Sequence, residues 1–71
     1  MKIYKAIDKL DMKPSYFAFS DDFKFYSVIS ESEAESEQQA IAYLERTGAK
    51  WWNYPYDDRR KDMIDPVEVT S

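Results

Sequence analysis

A chain of 71 residues with no cysteine and no histidine has to hold its fold by packing alone. A domain this small buries only about 60–65% of the surface its unfolded chain exposes, and many such domains add disulfides or a structural metal. Disulfides and a metal held by Cys or His are closed to it. The same absence removes thiol nucleophiles, histidine-based triads and Cys/His zinc sites. What remains for a core is rich in rings, since two Trp, six Tyr and four Phe make 17% of the sequence. Disordered chains are poor in such residues, so residues 1–71 are expected to fold as one small domain.

Lys2–Ile7 alternates in the manner of a strand, and Pro14 suits Lys9–Ser15 to a loop. Tyr16–Phe19 and Phe23–Ile29, separated by Ser20, Asp21 and Asp22, predict a β-hairpin. Setting Phe19 opposite Phe23 places all four Phe on one side and pairs Tyr16 with Tyr26 on the other. Ala40, Ile41 and Leu44 share a helical face that ends at Gly48. Ser30, Ser32 and Ser36 each precede a Glu or Gln by three places, so each fits a capping box. A start near 31 would aim Glu33 and Glu37 at the core. A start after Ser36 instead puts Glu37 in the first turn, where the helix dipole favours it. The spacing therefore predicts a helix over about 37–47, with a start near 31 as the competing reading.

Trp52, Tyr54 and Tyr56 share one face if the segment after Gly48 is extended, and Pro55 confines it to an edge strand or loop. Residues 57–62 read as a solvated charged turn, and Val67 and Val69 as part of a last strand. The expected fold is α+β, a small three- to four-stranded, mainly antiparallel sheet with one helix packed on one face. Phe17, Phe19, Phe23 and Phe25, with Ile29, Ile41 and Leu44, suffice for that single sandwich. Tyr4, Tyr16, Tyr26 and part of the set Trp51, Trp52, Tyr54 and Tyr56 are then surplus to the core.

The net charge of −4 is local. Residues 1–30 balance at +1 and residues 46–71 at 0, whereas residues 31–45 hold five Glu and no base. Four of these alternate, as Glu31, Glu33, Glu35 and Glu37. The acidic balance opposes nonspecific binding to duplex DNA or anionic membranes. No apolar run approaches the roughly 18 residues that span a bilayer, and charges interrupt the first ten residues where a signal peptide would be apolar. The expected location is the cytoplasm.

A single Gly rules out a Gly-rich phosphate loop, and the pairs Asp21-Asp22 and Asp57-Asp58 lack the spacing of a calcium loop. No catalytic residue, cofactor or metal site is expected, and the chain reads as non-enzymatic. Two features point to a protein partner with a basic surface: the Glu31/Glu33/Glu35/Glu37 row for steering, and Trp51, Trp52, Tyr54 and Tyr56 as anchors. A small acidic inhibitor or adaptor is the expected role, and in general composition the chain resembles small phage- or plasmid-encoded accessory proteins. A homodimer would also hide the rings. Behind these stands a weak single-strand nucleic-acid binder that stacks bases on the same rings beside Arg59, Arg60 and Lys61.

Overall fold

Every residue from Ser15 to Phe19 is buried, which requires cover on both faces of the strand that carries them. The computed structural model, which describes residues 1–70, supplies that cover in two different ways. Its strands are β1 (Lys2–Asp8), β2 (Lys13–Phe19), β3 (Phe25–Ser30), β4 (Trp51–Trp52) and β5 (Met63–Glu68). One helix, α1 (Glu37–Thr47), lies between β3 and β4, and short 3₁₀ turns occupy Glu31–Glu33 and Arg59–Asp62. The strands form one antiparallel sheet in the order β4-β3-β2-β1-β5. The domain is thus α+β as expected, with five strands in place of three or four. Both edges fall in segments read above as possible strands, and an edge is where proline is tolerated: Pro66 lies within β5, and Pro55 follows β4. Pro14, expected in a loop, lies in β2 opposite Ile7, one residue beyond the point where β3 stops.

The hairpin register differs from the expected one by three residues. Phe19 pairs with Tyr26 and Phe17 with Val28. The connecting loop is longer because Phe23 leaves the ladder in a left-handed conformation, φ 61°, with its N–H donated to the Ser20 carbonyl. Ser20 Oγ accepts from the Phe25 N–H at 3.0 Å, and Asp22 accepts from the Lys24 N–H at 3.1 Å. An odd shift turns β3 over. Tyr26 therefore joins Phe17 and Phe19, Phe25 faces the other way, and Tyr16 lies opposite Ile29.

α1 covers the face opposite the Phe cluster. It packs Ala40 and Leu44 on Ile3, Tyr16 and Ala18, with Ile29, Ala34 and Ile41 around them. Ala18 and Ala40 leave room for close approach of helix to sheet, which Phe17 and Phe19 would prevent. Tyr16, expected to be surplus, is therefore core. The helix bounds match the favoured reading. Ser36 Oγ accepts from the Gln39 N–H at 3.1 Å, and Gln39 Oε1 accepts from the Glu35 N–H at 2.6 Å. At the other end Gly48 takes φ 71°, ψ 173° and donates its N–H to the Leu44 carbonyl. Replacing Ser36 by alanine is expected to lower stability by about 1 kcal/mol in urea unfolding without changing the slope of the transition.

Candidate functional site

Because β4 and β5 lie at opposite edges, the chain between them has to cross the sheet. Residues 53–62 do so over the Phe face as a strap, beginning with a cis Tyr54–Pro55 peptide bond and ending where the Lys9 N–H bonds the Asp62 carbonyl at 2.8 Å. Beneath the strap lie Ala6, Phe17 and Phe19, with Tyr4, Phe23, Tyr26, Val28 and Met63 packed around them.

Arg59 closes this second core. It is 6% exposed and its guanidinium lies 5.4 Å from the Phe17 ring centre and 5.7 Å from that of Tyr26. Nη2 donates to the buried Asp8 Oδ2 at 2.8 Å and Nη1 donates to Asp62 Oδ2. Burial works against the Arg59 charge, but the bonds to Asp8 and Asp62 outweigh it and raise its pKa above the ordinary value. This corrects the reading of 57–62 as a solvated turn. It also disposes of most of the basic triplet as a phosphate contact, since Arg60 donates twice to Asp58, through Nε and Nη2, both at 2.9 Å. That bond is the main cause holding the Asp58 carboxyl below its usual pKa. Lys61 alone is exposed and has no ion pair among the described residues.

The four rings singled out above are open to solvent. Trp51 is 54% exposed, Trp52 60%, Tyr54 58% and Tyr56 98%. They do not form one flat face, because strand alternation sends neighbouring rings to opposite sides of β4. Trp51 leans on Tyr26 at 5.8 Å between ring centres, and Trp52 meets Phe25 edge-on at 5.6 Å. Asn53, between the exposed rings, is buried; its N–H bonds the Lys24 carbonyl at 2.9 Å. The Asn53 Nδ2 donor finds no acceptor among the described residues.

The acidic segment is a bent run, not a linear row. Glu31 is bonded to Lys5 Nζ at 2.7 Å, a contact that raises the Lys5 pKa. Glu35 and Glu37 border the same hollow as Lys5 and Tyr16, whereas Glu33 turns toward Ile29 and Tyr43. Burial pushes the Tyr16 hydroxyl pKa up. Glu33, Glu35 and Glu37 have no ion-pair partner among the described residues. β3 lies between the two features: the Trp pair flanks its first residues, and the Glu run begins where it ends.

The remaining carboxylates are dispersed. Asp21 bonds the Met1 amine at 2.7 Å, and among the described residues no three acidic side chains converge as a metal site would require. No described helix is long and apolar enough to cross a membrane. Compared with protein-family models, curated proteins and solved structures, the chain matches none.

Proposed function

We propose that the chain is a non-enzymatic protein-binding module, a small acidic inhibitor or adaptor acting in the cytoplasm. The observation that carries this reading is the exposure of Trp51, Trp52, Tyr54 and Tyr56 around one sheet edge. Large rings supply much contact area for little lost conformational freedom, and they dominate the affinity of many protein interfaces. Glu33, Glu35 and Glu37, exposed and unpaired among the described residues, would speed encounter with a basic surface. The single-strand nucleic-acid alternative loses support because Arg59 and Arg60 are already engaged by carboxylates.

The test is parallel affinity capture from the native host with the wild-type chain and with Trp51→Ala and Tyr56→Ala. A protein retained by the wild type is expected to bind each variant about thirtyfold more weakly, the effect of losing a ring worth about 2 kcal/mol. Capture unaffected by either change would overturn the anchoring role. Micromolar affinity for a labelled single-stranded oligonucleotide, falling steeply with salt, would overturn the reading as a whole.

A further inference from the structure

β3 is only half paired on its outer side. β4 covers Phe25 and Tyr26, and β3 runs on to Ser30 with no strand beside it. The carbonyls of Lys24 and Tyr26 face that side, accepting from the N–H groups of Asn53 and Lys50, while Phe25 bonds back to Ser20 near β2. Backbone groups alternate in direction along a strand, so the N–H and C=O of Val28 and Ser30 also face outward. Open edges are commonly guarded by proline, lysine or a bulge. β5 has such guards, with Pro66 and with Asp65 at φ 52°. The stretch Val28-Ile29-Ser30 has none.

A hollow opens on each face beside this stretch. One, of about 580 Å³, is lined by Leu10, Val28 and Trp51, with Asp57 at its wall. The other, of about 290 Å³, is lined by Ile29, Ala34 and Tyr43, with Glu33 at its wall. An added strand sends alternate side chains to opposite faces, so its residues would enter the two hollows in turn. Asp57 and Glu33 lack ion-pair partners among the described residues, and Glu31 and Glu35 lie just beyond the end of β3. The cations in the walls are already occupied: Arg59 by Asp8 and Asp62, and Arg46 over the Tyr43 ring at 5.6 Å. A second copy of this chain would bring its own Glu33 to the same edge, like charge against like.

We propose that Val28–Ser30 accepts an extended, basic segment of a partner protein as an added strand, with apolar side chains entering both hollows. The inference rests on the reading of the chain as a protein-binding module and states how the partner is held. A capped nonapeptide with three central valines flanked on each side by three lysines, which sends valine to both faces, is the probe, followed by fluorescence anisotropy. Binding is expected to weaken at least tenfold when alternate peptide nitrogens are methylated, which removes strand pairing without changing charge. The same loss is expected when glutamate replaces lysine in the probe, and in the variant Val28→Pro. Proline at 28 removes only the outward N–H, so the β2–β3 ladder should survive, as far-UV circular dichroism would show; Ser30→Pro is the second such variant. Absence of binding, or binding indifferent to methylation, overturns the proposal. A micromolar dimer in sedimentation that Val28→Pro dissolves overturns it in favour of self-pairing. If a partner captured through Trp51 and Tyr56 binds Val28→Pro at full strength, strand addition fails while the protein-binding reading stands.

Discussion

Replacing Arg59 by methionine is expected to remove about 3–5 kcal/mol of stability, the cost of leaving buried carboxylates without their counter-ion. A chain of 71 residues has a total stability of about 4–11 kcal/mol at 0.05–0.15 kcal/mol per residue, so much or all of it is at stake. The geometry makes the loss large, because Asp8 is as buried as Arg59 and receives its Nη2 bond at 2.8 Å. Lysine should restore little, since one ammonium cannot hold Asp8 and Asp62 and also lie flat against Phe17 and Tyr26. Adding Asp8→Asn to Arg59→Met should recover part of the deficit, because it removes one stranded charge. Urea unfolding of the four species checks this. A loss below about 1 kcal/mol for Arg59→Met would make the buried pair a bystander.

A comparable effect is expected for Phe19→Ala, at about 3–5 kcal/mol. Phe19 is fully buried and has four aromatic neighbours: Phe23 at 5.7 Å, Tyr4 at 6.2 Å, Phe17 at 6.3 Å and Tyr26 at 6.4 Å between ring centres. Truncation opens a cavity and deletes four ring contacts at once. The surrounding rings belong to β1, β2, β3 and the hairpin loop, so no single element can move in to fill it. Phe19→Leu should cost roughly half as much by keeping most of the volume. Thermal unfolding followed in the near ultraviolet compares the two. Equal midpoints for both variants would show that volume at this site is unimportant.

These two residues also mark where the sequence was legible and where it was not. The helix bounds followed from Ser36, Leu44 and Gly48, because capping and apolar spacing are local signals. That part of the set Trp51, Trp52, Tyr54 and Tyr56 is surplus to the core is legible from the surface one helix can cover; that all four are exposed, and that Phe17 and Phe19 pack on the face away from the helix, is not. Both edge strands lie in segments the sequence allows as strands, since Pro55 and Pro66 leave an edge position open, but the strands they pair with are not legible locally. The hairpin register is hidden because Phe23 looks like a strand residue, and only the five-residue span with Ser20 and Asp22 shows it turned out of the ladder. The buried role of Arg59 left no local signal, since its partner Asp8 lies 51 positions away. A triplet of bases among acids reads as surface until the strand order forces that segment across an apolar face. The free edge of β3 was equally hidden, for it depends on β4 stopping after two residues.

The strand order has a kinetic consequence. β1, β2 and β3 are neighbours both in the chain and in the sheet, so this meander closes through short loops. β5 must return from Met63 to pair with Asp8, and the entropy of closing that long loop delays it. The Arg59 contacts, which fasten the late segment, are then largely absent at the folding barrier. Their removal should appear mainly as faster unfolding, with the rate of folding little changed. The chain can thus assemble its aromatic centre quickly and still owe its lifetime in the folded state to one arginine added at the end.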